Sequence, residues 1–532
     1  MNQQWIVICF LIACAHLSHQ KSTPNSTTYR AAVVEYNPKY FTNSSEILKI
    51  NSDAYVKHIK TARENNADII VFPEDGLTTL EFPVREELQD WTTIIPAASD
   101  NCTPCTNNTV EVSDALKKIS CAARENEIYV VINIAEKLPC TGDGCPEDNI
   151  FYYNSNVVFD RTGTIIARYR KTNLFMEPHF DVTSVPEIVT FDTDFGVKFG
   201  TFICFDILFY EPALQLTRLH EVTDIAYTTA WFSEAPFLTA VQTHAGWSFS
   251  EDVNVLASGY NNPSGGSTGS GIYLGRKGVA KAIMSNTIHE EVLVFEVLKI
   301  KKESRFNKDH HDHSKDHDQK VLPYDHKEEN IYKELWKKQF DNTVANNDVV
   351  YLLHENISAF ETFSLEGDVN KTVCQNNFCC DFKIEVVTID PSTKYRLVVF
   401  SGIRIYGNIE AGVRVCSIIQ CSNDVISSCG SVQESKTVFS NIEIAATFHD
   451  YKNILVMPST LRSDLLPLSE NWTYNEHTHD DHVHISMSLD NNTNNLITFG
   501  IYSRYFDKNN TSRTVSEAIH YFIALLMSLL LI

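Results

Sequence analysis

The sequence predicts an α/β protein: an α/β sandwich followed by a smaller, mostly β domain. Three observations carry that reading. Between residues 29 and 300, helix-period segments alternate with short, near-continuous apolar strands, and hairpins interrupt the alternation. That order fits packed sheets better than one doubly wound sheet. Residues 301–348 form a charged, low-complexity run that includes KKESRFNKDHHDHSKDHDQK and reads as a linker or exposed loop. From 349 to 506 the chain becomes strand-rich and carries Cys374, Cys379, Cys380, Cys416, Cys421 and Cys429, the mark of a second domain held by disulfides.

Each element follows from local pattern. Residues 31–36 are an apolar strand. Ser52 and Asp53 can cap a helix in which Val56, Ile59 and Ala62 recur at helical spacing. It leads into strand 68–72, which Pro73 ends. The unit then repeats, with Ser113 capping a helix that carries Leu116, Ile119 and Ala123, before strand 128–135. Two hairpins come next. Residues 156–160 turn through Arg161, Thr162 and Gly163 into 164–170, and Phe191 turns through Asp194, Phe195 and Gly196 into 197–204. A helix near 212–220, a strand at 224–228, a helix near 236–250 and a strand at 253–258 complete the first region. Strands in the second are expected at 395–400, 412–418, 454–457 and 495–501.

The chain has 532 residues, with 44 Lys plus Arg against 67 Asp plus Glu, a formal charge of −23. So acidic a protein is excluded as a general nucleic-acid binder, which needs a basic surface. Both ends read as targeting segments. Residues 5–15 are an apolar run too short to span a bilayer, which makes 1–20 a signal peptide, although no Lys or Arg precedes the run. Residues 521–532 are apolar and end flush with the chain, behind small polar residues at 509–512 and a short polar spacer. The order makes 509–532 a GPI-attachment signal, the alternative being a greasy terminal helix packed on the protein.

Sequons agree with export. They predict glycosylation at Asn25, Asn43, Asn101, Asn107, Asn356, Asn370, Asn471 and Asn491, and two more, Asn509 and Asn510, fall in the tail. Most cysteines beyond the signal should pair in an oxidising compartment. Cys204, far in sequence from every other cysteine, is the natural free thiol. An odd number then remains, so at least one more is free or paired between chains. The expected product is an extracellular glycoprotein tethered to the cell surface.

Three residues that could do chemistry each end an apolar strand: Glu74 after 69–73, Lys171 after Tyr169 and Arg170, and Cys204 after 200–203. A thiol at a strand end and helix mouth lies in positive potential, and a nearby ammonium would lower its pKa further. A carboxylate can take the thiol proton and return it to a leaving amine. The ammonium and backbone N–H groups can stabilise the oxyanion.

The words around these residues carry a resemblance. IVFPEDG at 70–76, YRKTNLF at 169–175 and TFICFDILFYEPA at 201–213 resemble the three signature segments of the nitrilase (carbon–nitrogen hydrolase) superfamily. TAW at 229–231, TGSGIY at 268–273 and the Cys374, Cys379 and Cys380 cluster are similar to its secreted branch, the vanins and biotinidase. The resemblance implies an αββα nitrilase-type catalytic domain over 29–300 and a vanin-type β-rich domain over 349–506. It implies Glu74 as general base, Lys171 as stabiliser of the tetrahedral intermediate and Cys204 as nucleophile. It makes Glu177 a candidate second glutamate and Trp231 a candidate wall of the acyl pocket, with His179 and Asp206 near the site in orienting or structural roles. The implied reaction is hydrolysis of a linear small-molecule amide, pantetheine first, with a biotin amide or a catalytically silent binding glycoprotein as alternatives. No metal or organic cofactor is implied.

Two histidine tracts remain. His310, His311, His313, His317 and His326 lie in the charged run, and His477, His479, His482 and His484 in the second domain. Histidines at alternate positions of a strand share a face, so His482 and His484 could share a metal such as zinc. The tracts fit no fixed ligand pattern and read as solvated polar loops.

Overall fold

The computed structural model describes residues 21–300 and 350–506, apart from 42, 221, 407–408, 450–452, 470–471 and 480–481. The expected signal peptide, the charged run, the anchor signal and Asn471 lie outside them.

The first region has thirteen strands: β1 (Thr28–Glu35), β2 (Ile69–Val71), β3 (Tyr129–Pro139), β4 (Ile150–Phe159), β5 (Ile165–Arg170), β6 (Thr190–Asp192), β7 (Lys198–Ile203), β8 (Asp224–Thr229), β9 (Glu234–Ala235), β10 (Asn254–Gly259), β11 (Ser270–Leu274), β12 (Val279–Ile283) and β13 (Glu291–Leu298). Twelve of them make two six-stranded sheets, in the orders β13-β1-β2-β3-β4-β5 and β12-β11-β10-β8-β7-β6. Each has a parallel core, β1-β2-β3 and β7-β8-β10, flanked by antiparallel strands.

Alternation within the strands builds the layers. Ala31, Val33, Ile69, Val71 and Val131 face the other sheet and pack with Phe199, Ala226, Leu256 and Ile272. Ala32, Val34, Ile70, Val130 and Ile132 face outward, under Tyr55 and Ile59 of helix α1 (Ser44–Glu64) and Leu116 and Ile119 of α2 (Asp114–Asn126). Both faces are buried, so the strands read as unbroken apolar runs. The outer face of the second sheet lies under α3 (Ala240–Glu251) and the helical stretch 204–218. Helices cover both outer faces of a two-sheet sandwich, which is the αββα architecture expected.

The second region is antiparallel apart from β14 (Leu353–His354), which pairs in parallel with β9. β15 (Glu361–Ser364), β16 (Val369–Gln375), β17 (Phe378–Thr388), β18 (Lys394–Tyr406), β19 (Ile409–Cys421), β20 (Val438–His449), β21 (Ile454–Arg462), β22 (Trp472–His479), β23 (His482–Leu489) and β24 (Leu496–Tyr505) form two five-stranded sheets. Their orders are β15-β18-β19-β24-β21 and β16-β17-β20-β23-β22, around a shared apolar core.

The first of these sheets lies on α3 and the 204–218 stretch. Gln242 Nε2 donates to Ser459 Oγ at 2.9 Å, Ser250 Oγ to the Val456 carbonyl at 2.6 Å, and Arg504 Nε to the Leu208 carbonyl at 3.1 Å. Arg404 on β18 pairs with Glu234 and Glu355. Gly246 passes so close that a β-carbon there would sit 2.4 Å from the Pro458 carbonyl oxygen.

Disulfides join Cys105–Cys121, Cys140–Cys145, Cys374–Cys379, Cys380–Cys416 and Cys421–Cys429, leaving Cys102 and Cys204 free and buried among the described residues. Cys102 is thus the unpaired thiol that the odd count required. No helix among the described residues is long and apolar enough to cross a membrane.

Several elements differ from the sequence reading. α1 starts at Ser44 rather than near 52, because Asn43 caps it by accepting from the Glu46 N–H at 2.8 Å. Ser52 is buried inside the helix, where its hydroxyl donates to the Lys49 carbonyl. α3 starts at Ala240 rather than 236, where Thr239 and Gln242 form a capping box. The histidines at 477–484 sit on strands β22 and β23, not in a loop, since Thr478 and Val483 between them are β-branched and pair across the hairpin.

Candidate active site

The parallel strands of the two sheets end side by side, and that edge collects the candidate side chains Glu74, Lys171 and Cys204. β7 ends at Ile203, and the next residue, Cys204, has φ +46°. A left-handed turn at a non-glycine residue is strained and redirects the chain at once into the helical turn 204–208. Asp206 fixes the turn. Its carboxylate accepts from the Ile203 N–H (3.0 Å), Tyr169 OH (2.7 Å), the Asn173 N–H (2.9 Å) and Asn173 Nδ2 (2.8 Å). The elbow is thereby tied to the segment after β5. Burial pushes the Asp206 carboxyl up to about 6 against those hydrogen bonds, Tyr169 first. Tyr227 OH donates to the Cys204 carbonyl at 2.8 Å.

Glu74 follows β2 and Pro73 and is 2% exposed. Its Oε1 accepts from Lys171 Nζ at 2.6 Å and Asn154 Nδ2 at 2.9 Å, and its Oε2 from the Ala230 N–H at 2.9 Å. Lys171 leaves β5 with its N–H bonded to the Asn154 carbonyl at 2.8 Å, and its ammonium reaches Glu177 Oε2 at 2.6 Å as well. Burial opposes that ammonium, yet Glu177, Glu74 and Cys204 together hold Lys171 well above its ordinary pKa. Glu177 also accepts from Asn154 Nδ2 at 2.7 Å and from the Phe175 N–H at 2.9 Å. Asp75, with φ +52°, is pushed well above the carboxylate range by burial and by Glu74 and Glu177.

The thiol differs from the sequence expectation. Burial, then the charge of Glu74, pushes the Cys204 thiol well above its ordinary pKa, and Lys171 offsets only part of this. The ammonium is already engaged by two carboxylates, so little of its field is left for the sulfur.

Residues 30–245 match the carbon-nitrogen hydrolase family, and residues 350–509 match the Vanin C-terminal domain. Vanin-like protein 1 of Drosophila melanogaster is 34% identical over 550 residues, which cover 95% of this chain and 92% of that protein. This chain belongs to the vanin family of carbon–nitrogen hydrolases. Pantetheinase of Homo sapiens is 33% identical to this vanin-like chain over 410 residues, 76% of this chain and 74% of the relative. An amidase from Nesterenkonia sp. shows 16% identity and a TM-score of 0.38, covering 53% of this chain and 94% of that one.

The vanin-like chain brings Glu74, Lys171, Cys204 and Glu177 to one edge and holds Asp206 directly beneath the elbow. Trp231 follows Ala230, which donates to Glu74. Its indole N–H donates to the Leu238 carbonyl at 2.8 Å, and its ring packs edge-on to His244. His179 is not joined to the carboxylates; its ring packs against Phe82 and Phe180, and burial lowers its pKa. Sequence reasoning missed Asn154, whose Nδ2 joins Glu74 to Glu177 and whose Oδ1 accepts from Asn133 Nδ2 at 2.6 Å. A signal was available: Asn154, Ser155 and Asn156 interrupt an otherwise apolar strand, and all three are buried. Buried polar groups in a central strand must serve a partner.

Proposed function

We propose that this vanin-like protein hydrolyses a linear carboxamide through a Cys204 thioester, with pantetheine as the substrate and pantothenate and cysteamine as products. The observation that carries the reading is the convergence of a strained, unpaired Cys204 with the buried Glu74–Lys171 pair. Glu74 takes the thiol proton as sulfur attacks the amide carbon. Lys171, with backbone N–H groups of the first turn after Cys204, stabilises the oxyanion. Glu74 returns the proton to the leaving amine, and the C–N bond breaks to leave a thioester. Glu74 then takes a proton from water as its oxygen attacks the thioester, and the acid leaves as the thiol reforms. Glu177 and Asn154 hold Glu74 and Lys171 in register, and Trp231 bounds the acyl side.

The same proposal places the protein outside the cell, on a GPI anchor cut within 509–532. Five disulfides suit an oxidising compartment. Asn25, Asn43, Asn101, Asn356, Asn370 and Asn491 are exposed and available for glycosylation, and Asn107 is half-buried.

The test is release of cysteamine from pantetheine by the purified protein, with biotinyl-lysine as a parallel substrate and Cys204→Ser as control. Turnover of pantetheine that vanishes in the variant supports mechanism and substrate together. Turnover of biotinyl-lysine alone keeps the triad and replaces the substrate. A folded protein that cleaves neither favours a binding glycoprotein. Release from cells by a phosphatidylinositol-specific phospholipase tests the anchor, and retention overturns it.

A further inference from the structure

Strands β20, β23 and β22 lie side by side, and their register gathers histidines scattered through the sequence. His449 is directly opposite His482, and His482 is opposite His479. The next row on the same face is Thr447, His484 and His477. Residues two apart on a strand share a face, so all five imidazoles lie on one surface. It is the solvent surface: Phe448, Val483 and Ile485, the intervening residues, are buried in the core. Neither row carries a Lys or Arg on these three strands.

The spacing allows two rings to share an ion. Ring centroids are 5.7 Å apart for His449 and His482, and 5.7 Å for His479 and His482. Two imidazoles bound to one tetrahedral ion, with metal–nitrogen bonds of about 2.0–2.1 Å, have centroids about 5.2 Å apart. Either pair is therefore within about half an ångström of the spacing that two rings on one ion have. His484 Nδ1 shares a hydrogen bond with Thr447 Oγ1 at 3.2 Å, the kind of outer contact that fixes a ring and leaves its other nitrogen to ligate. Among the described residues no three His, Cys, Asp or Glu side chains already form a site, so the arrangement is a two-imidazole clamp rather than a closed cage.

We propose that this histidine face of the second domain binds a divalent transition-metal ion of the Zn2+ and Cu2+ class, with His482 as the shared ligand and His449 or His479 as its partner. Water or the third ring completes the coordination. Imidazole-only donors favour these ions over Ca2+ and Mg2+, which take oxygen. The site is separate from the amide-hydrolysing cluster, which contains none of these residues.

The test is Zn2+ titration of the full mature chain against a chelating dye, with His482→Asn compared with the wild type. A second variant replaces His310, His311, His313 and His317 with Asn. The expected result is Zn2+ binding that weakens at least about tenfold in His482→Asn and persists in the variant of the charged run. The Cu2+-loaded wild type should show at least two nitrogen ligands by electron paramagnetic resonance, and His482→Asn one fewer. Amide turnover and melting temperature should be unchanged in His482→Asn. Zn2+ affinity unaltered by His482→Asn, loss of binding only with the charged-run histidines, or no Zn2+ binding by the wild type would each overturn the proposal.

Discussion

Glu177→Gln exchanges one oxygen for an NH2 group and tests the buried charge cluster at almost constant volume. Glu177 serves three donors with two oxygens: Lys171 and the Phe175 N–H on Oε2, and Asn154 on Oε1. Glutamine has one acceptor oxygen. Turned toward Lys171, it keeps two bonds, but its NH2 then faces the Asn154 NH2, donor against donor, at a site where the present contact is 2.7 Å. Leaving one such buried donor unsatisfied costs about 1–3 kcal/mol, and losing the charge from the Lys171 bond costs about as much again. The sum, about 2–6 kcal/mol, brackets the roughly 3–5 kcal/mol for breaking a buried ion pair from one side. Glu74 then becomes the sole carboxylate on Lys171, which makes it a poorer proton acceptor for Cys204. We expect about 3 kcal/mol of this in the transition state, or about a hundredfold loss in kcat/KM, carried mainly by kcat. The remainder should lower the melting temperature. Steady-state amine release and a thermal melt on the same preparation measure both. Wild-type kcat/KM with a lowered melting temperature would make Glu177 purely structural, and wild-type values of both would refute the cluster.

Asp206 sets a further prediction. Its folded pKa of about 6 lies above the ordinary 3.8, so its contribution to stability is full below the unfolded value and is lost as pH rises through about 6. The stability advantage of wild type over Asp206→Asn should be larger at pH 4.5 than at pH 7 by about 2 kcal/mol in denaturant titrations; an equal difference at both pH values would remove the linkage. Glu355, raised by burial from its ordinary 4.5 to about 7 despite Arg404, should destabilise the protein in the same direction as pH rises from about 4.5 through about 7, and Glu355→Gln should flatten that slope in thermal melts. Gly246→Ala would force a methyl group against the Pro458 carbonyl and should cost about 1–3 kcal/mol. An unchanged unfolding midpoint would mean that the second domain yields there at no cost. Cys204→Ser, close in size, should abolish turnover with little change in melting temperature; measurable turnover would place the nucleophile elsewhere.

The parts of this fold that were legible in the sequence are those buried on both faces. β2, β3, β7, β8 and β10 stand out as apolar runs because helices cover one side and a sheet the other. Strands with a solvent face were harder to read. β16, β17 and β22 mix polar and charged residues among the apolar ones, at alternate positions in β17 (Asp381, Lys383, Glu385), and their apolar half becomes visible only against the core of the second domain. At the site, Glu74, Lys171 and Cys204 could be picked out because each ends a strand inside a recognisable segment. The bond between Lys171 and two carboxylates could not, since it depends on where the turn after Phe175 brings Glu177. The thiol's direction of shift was misjudged because its burial, the largest cause, and then the charge of Glu74 outweigh the nearby ammonium.

The seam between the regions bears on when the protein can begin to work. The elbow that carries Cys204 ends at Leu208, whose carbonyl is held by Arg504 on the last described strand, while Phe205 packs against Tyr406. Residues nearly 300 positions apart must therefore meet before that elbow has its final surroundings. At about 5–20 residues per second, synthesis of the intervening chain takes about 15–60 seconds. Between the making of α3 and that of β21, about 200 residues later, the face of α3 that meets Val456 and Ser459 has no partner from the second region. The first region is made first, but the surroundings of its elbow are completed only with the last described strand.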